Sequence, residues 1–187
     1  MAQYPMASTK DQTPADSIRS ELNSTHSAFH IVLDSFSEID LQHRSLNPGW
    51  TNGEILTHMV FGFVIVIALL PMVRIWGRLP GKSSKWFALL LNAFTRPFNW
   101  VNKLGARLQG RVVNFKHIGP LFDRTVASLL KKVDSITDEE WQHGMYFPNR
   151  WDPNFNEFMT LEMVFRYPVI HFNFHTQQLS HGRMTFG

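Results

Sequence analysis

The run from Ile55 to Val73 constrains this chain most: nineteen residues, apolar except for Thr57 and His58. A stretch of about 18 or more such residues is long enough to cross a bilayer. It can equally form a central helix that other helices cover on most sides. Three features favour the covered helix. His58 lies inside the run, Pro71 lies near its end, and the flanking segments carry apolar residues at the spacing of amphipathic helices. Association with a membrane surface through this region stays open. Leu46-Asn47-Pro48-Gly49 is turn chemistry. Thr51 and Glu54 then fit a capping box, with Trp50 placed to pack at the helix start. The helix is expected over about Asn52 to Ile75.

The other segments read as partners for that helix. Thr13-Pro14 is a good start, since Thr caps and Pro suits the first helical position. Ile18, Leu22, His26, Phe29, Leu33 and Phe36 then fall at steps of three or four, which predicts an amphipathic helix to about Asp40. A third stripe runs from Ile118 to Val133 through Leu121, Phe122, Val126, Leu129 and Leu130. Thr137 and Glu140 suggest another capping box. Tyr146 to Phe158, with Pro148 and Pro153, predicts an ordered aromatic loop. A last helix opens at the N-cap candidate Thr160, with Glu162 in its first turn, and ends at Gly182. Pro168 in its interior removes a hydrogen bond and predicts a kink. The fold class is therefore all-α, a four-helix bundle. Residues 1–12 read as a disordered tail without an apolar signal core, and 13–187 as one domain. A cytoplasmic location follows, with membrane association as an open addition.

Charge is distributed unevenly. Net charge is only +3, yet Ile55 to Phe122 holds nine cations and no Asp or Glu. They are Arg74, Arg78, Lys82, Lys85, Arg96, Lys103, Arg107, Arg111 and Lys116. Most fall in an insertion, about 76–116, between the second and third bundle helices. A compact bundle does not need so long a connection. The segment is basic, aromatic and split by Pro97. It could lie on an anionic membrane, lid the bundle mouth, form a homodimer surface, or be a solvated face. Nucleic acid is disfavoured, because no recognition module is present. There is no cysteine, so thiolate ligands, thiolate nucleophiles and disulfides are excluded.

The chemistry is carried by histidine. His171 and His175 are four residues apart on the last helix and so share a face. Neutral imidazoles so placed can share a divalent transition metal, and His58 is the first candidate for a third ligand. His26 and His30 form a second such pair, read as one hydrogen-bonded core or cleft histidine and one surface histidine, with His30 a candidate neighbour of the metal pocket. The residues between His171 and His175 include no Glu, so this is not a zincin motif. Candidate catalytic or orienting groups are Glu54, Asn173 and Gln178, with Asp152, Glu157, Glu162 and Gln177 also open. Trp50, Phe61, Phe165 and Phe174 are candidate substrate walls, though core packing explains each as well.

Two strings, Trp50 to His58 and Arg150 to Leu179, resemble the DinB-like (DinB/YfiT) family of metal-binding four-helix bundles, in a branch found in bacteria and fungi. The resemblance covers roughly residues 20–179. It implies an up-down-down-up bundle with the long connection as a crossover. It also implies a site in which His58, His171 and His175 hold zinc, nickel, iron or manganese. The associated chemistry is hydrolysis, thiol-dependent transfer or isomerisation. The leading expectation is a small-molecule metalloenzyme acting on an apolar or anionic substrate. One alternative is a metal-independent cyclase or isomerase of a natural-product pathway that uses the bundle cavity. Another is a non-enzymatic lipid or hydrophobic-ligand binder at a membrane surface.

Overall fold

The computed structural model describes residues 13–96, 117–152 and 154–180. It is mainly helical. Helix α1 spans Pro14–Asp34, α2 Glu38–Gln42, α3 Asn52–Trp76, α4 Gly81–Ala93, α5 Ile118–Val133 and α6 Leu161–Thr176. A 3-10 turn covers Glu140–Gln142. Strands β1, Gly144–Tyr146, and β2, Phe158–Thr160, pair antiparallel with Gly144 opposite Thr160. The expected loop between Tyr146 and Phe158 is thus closed at its base by a small sheet, an addition to the all-α reading.

Helix starts follow the side chains that satisfy free backbone N–H groups. Thr13 accepts from the Asp16 N–H, and Thr160 from Met163. At Thr51 both halves of the capping box form: Thr51 Oγ1 accepts from the Glu54 N–H, and the Glu54 carboxylate accepts from the Thr51 N–H at 2.8 Å. Two ends differ from the sequence reading. Helix α1 stops at Asp34, because Ser37 and Asp40 form a capping box that starts α2. Helix α6 stops at Thr176 and not at Gly182. Beyond it the chain turns to pair with the connection before α3. The Leu46 N–H donates to the Gln178 carbonyl at 2.8 Å. Buried Asn52 donates to the Asp40 and Ser180 carbonyls and accepts from the Ser180 N–H. At Glu140 half of the expected box forms: the carboxylate accepts from the Thr137 N–H at 3.2 Å. Helix α6 continues through Pro168.

Among the described residues, the four longest helices are in contact with one another. Helices α1 and α3 each lie against both α5 and α6, and α2 packs on α3. Phe29, Phe63 and Phe122 meet at the centre, with ring centroids 4.2 Å apart for Phe29–Phe122 and 4.9 Å for Phe63–Phe122. Helix α3 is long and apolar enough to cross a membrane, but 56% of its most apolar window is buried inside the protein. Ile55, Met59, Phe63, Val66 and Val73 face that core. A second row, Phe61, Ile65, Ala68, Leu69 and Met72, lines a cavity instead. Two apolar faces on one helix explain why the run has no polar stripe.

Helix α4 closes the outer side of that cavity. Its Leu91 reaches the cavity wall, while its main-chain and polar groups tie to the loop between β1 and β2. Trp151 Nε1 donates to the Leu91 carbonyl at 3.0 Å, the Arg150 N–H donates to Asn92, and Trp76 stacks on Phe87. The described part of the basic insertion is therefore a helix laid against α3 and β1. Residues 97–116 and the tail 1–12 lie outside the described residues.

Candidate metal centre

His58 lies two turns into α3, and His171 and His175 lie one turn apart on α6, the helix packed against it. Their ligating atoms all fall within 4.8 Å of one another. Ring centroids are 4.9 Å apart for His58–His171, 4.8 Å for His58–His175 and 4.4 Å for His171–His175. His171 and His175 are buried, and Nε2 of His171 stands 3.2 Å from Nε2 of His58. Two nitrogens bound tetrahedrally at about 2.0–2.1 Å to one zinc are roughly 3.3 Å apart, so this spacing fits a shared ion.

Protonation states agree with that fit. Burial, with the nearby charge of His175, pushes His58 down to about 3. Burial also holds His171 well below the ordinary imidazole value, with His58 and His175 adding to the effect. His175 is lowered by burial, against the opposing pull of Gln178 and Asp152. All three rings are neutral near pH 7, the form that binds metal. Gln178 Oε1 lies 2.9 Å from His175 Nδ1 and also accepts from Asn47 at 3.0 Å. An amide oxygen can only accept, so Nδ1 of His175 carries the proton and Nε2 keeps its lone pair. Three neutral nitrogens suit zinc, nickel or iron in preference to calcium or magnesium.

The cavity beside the histidines has a volume of about 240 Å³. His58, His171, Asp152 and Tyr167 bring polar groups to a wall otherwise made of carbon, including Phe61, Phe155 and Trp151. Tyr167 donates to Asp152 Oδ2 at 2.9 Å, and the Asn154 N–H donates to Oδ1 at 2.7 Å. Burial, followed by the Asp152 charge, raises the Tyr167 phenol well above its usual value, so it stays protonated. The carboxylate is held at the cavity wall as an acceptor.

The remaining candidates are spread through the molecule. Phe61 lines the cavity. Trp50 and His58 meet edge to face with ring centroids 5.1 Å apart, and the partly exposed Phe174 has its ring centroid 5.1 Å from that of His175. Phe165 is fully buried against Trp141, away from the cavity wall. Glu54 serves the cap of α3. Asn173, Glu157 and Gln177 are exposed and outside this cavity, and Glu162 pairs with Arg166 at 3.1 Å. His30 belongs to a separate cluster on α1. Sequence reasoning missed Tyr167 and Gly62. Tyr167 precedes His171 by one turn, and Gly62 follows His58 by one turn, so helical spacing alone could have found both. A Cβ on Gly62 would stand 2.6 Å from His171 Nδ1. Only glycine lets that ring approach α3.

No family model, curated protein or solved structure matches this chain.

Proposed function

We propose that this chain is a DinB-like metalloenzyme, an up-down-down-up four-helix bundle whose His58, His171 and His175 hold a divalent transition metal. Its substrate is a small molecule with an apolar body and one polar group, taken in an apolar cavity of about 240 Å³. The observation that carries this reading is the opening of that cavity directly onto two of three converging neutral histidines. When bound, the metal would polarise a substrate oxygen or acidify a water or thiol. The chain's own residues do the rest. Gln178 holds His175 in one tautomer. The carbon walls exclude water and orient the apolar body. Asp152, backed by the Tyr167 hydroxyl, accepts a proton or a hydrogen bond from the substrate's polar group. Hydrolysis, thiol-dependent transfer and isomerisation all fit this arrangement.

Elemental mass spectrometry of untagged protein tests the site. At least one transition metal per chain is expected, with one equivalent lost in His58→Ala and in His171→Ala. Metal-free protein that also refuses zinc, nickel and manganese overturns the metalloenzyme reading. In that case the carbon-walled cavity with its Tyr167–Asp152 pair favours the metal-independent cyclase or isomerase reading.

The outer face of α4 supports a second reading. Trp86, Leu89, Leu90 and Phe94 are exposed beside Lys82 and Lys85. An apolar stripe flanked by cations suits an anionic membrane surface. Salt-sensitive sedimentation with phosphatidylserine vesicles, lost in Trp86→Ala with Lys82→Gln and Lys85→Gln, tests it.

A further inference from the structure

A second group of ligating side chains lies on the other pair of helices. His26 and His30 are one turn apart on α1, and Asp123 faces them from α5. Both rings reach the same carboxylate oxygen through the same ring nitrogen. His30 Nε2 is 2.6 Å and His26 Nε2 2.8 Å from Asp123 Oδ1. The rings are seated from beneath by core aromatics. His26 stacks on Phe122 at 5.8 Å, and His30 meets Phe29 edge-on at 5.9 Å. The triad described above stands on α3 and α6, so the two groups share no helix.

Three ligating atoms converge here from two rigid elements, with the outer side open. The His side chains are each 35% exposed and Asp123 48%. Without a cation, the two ring N–H groups donate to one oxygen. If both protons move to Nδ1, the same two nitrogens present lone pairs toward the carboxylate, an arrangement that needs a cation at its centre. Ligands about 2.0–2.2 Å from one tetrahedral ion stand roughly 3.3–3.6 Å apart, so each imidazole must back away from the carboxylate oxygen by roughly 0.5–1 Å, a movement that three partly exposed side chains can make by rotation. Two imidazoles and one carboxylate suit zinc, nickel, cobalt or copper. Exposure on one side leaves the remaining positions to water or a small anion.

We propose that His26, His30 and Asp123 form a second divalent transition-metal site, which ties α1 to α5 independently of the triad. Zinc titration of the metal-stripped full-length chain tests this, with cobalt absorption as a second readout. Wild type should take up two equivalents. His26→Gln, His30→Gln and Asp123→Asn should each lose one, with at least about a tenfold loss of affinity at that site. Asp123→Asn is the informative variant, since it keeps the size and hydrogen-bonding capacity of the residue. His171→Ala should keep this equivalent. If the triad binds nothing, wild type takes one equivalent that His30→Gln loses, which supports this site while defeating the metalloenzyme reading. Unchanged stoichiometry and affinity in His30→Gln and Asp123→Asn overturn the proposal. Loss in the histidine variants with full retention in Asp123→Asn also overturns it, because a bare surface histidine pair behaves that way.

Discussion

Gly62 is small because His171 needs its space. The missing Cβ would lie 2.6 Å from Nδ1 and 2.9 Å from Cε1 of that ring, so Gly62→Ala must push the imidazole off α3 or force the two helices apart. A strain of about 1–3 kcal/mol is expected. Metal affinity should fall by more than the thermal midpoint suggests, because ligand position is lost before packing is. An unchanged zinc isotherm for Gly62→Ala would remove His171 from the ligand set. Gln178 acts on the other side of the site. Replacing it with Leu leaves the His175 tautomer unfixed and the Asn47 amide without its acceptor. Zinc affinity should drop about 10–100-fold. A drop confined to thermal stability would make Gln178 a helix-end residue only.

At the scale of elements, the charge asymmetry of the chain is partly internal. Arg74 and Arg78 on and after α3 both reach Glu140 in the turn after α5. Arg74 Nη2 donates to its two carboxylate oxygens at 2.8 and 2.9 Å, and Arg78 donates at 3.0 Å. The Arg74 hydrogen bond, more than any other contact, holds the Glu140 carboxyl below its ordinary range. Lys85 lies over the Tyr146 ring at 5.3 Å. Three of the nine cations that suggested an anionic partner are therefore engaged within the described fold. Glu140→Gln keeps the shape and removes the charge. It should destabilise the chain on the order of 2 kcal/mol, read as a shift in the urea midpoint with an unchanged slope. A midpoint within error of wild type would show that solvent replaces these bonds without loss. Helix α4 is the element whose role composition could not decide. Its basic, aromatic make-up fitted a lid, an interface or a membrane surface; in the fold its Leu91, bonded to Trp151, joins the cavity wall, while its outer face stays exposed.

For the whole molecule, the neutral histidines link stability to pH. Unfolded, each would protonate near 6.5; folded, His58 does so at about 3, and His171 and His175 are also lowered. Between those values the unfolded chain binds more protons, so stability rises with pH. The contribution is complete above the unfolded value and is lost as pH falls toward the folded one. Metal-free protein should therefore melt at a lower temperature at about pH 5 than at about pH 7.5, and the difference should shrink in His58→Gln. A flat profile would mean that the rings are hydrated and charged in the fold. Much of this architecture was legible beforehand. The stripes at Ile18 to Leu33 and Ile118 to Val133, the caps at Thr13, Thr51 and Thr160, and the His171–His175 pair are local features. Helical period and capping are set by neighbours three or four residues away, so sequence spacing by itself determined them. It could not settle what lay on each face of α3, because a uniformly apolar run has no preferred side. Packing decided that one row meets the core and the other lines a cavity. It also decided that His58 meets a pair more than a hundred residues away, that the Glu54 carboxylate is engaged in the cap of α3 while Asn173 is exposed, and that Asp152 and Tyr167 face the cavity. These are contacts between distant segments. They arise only when chain folding brings such segments together, and no local pattern records them.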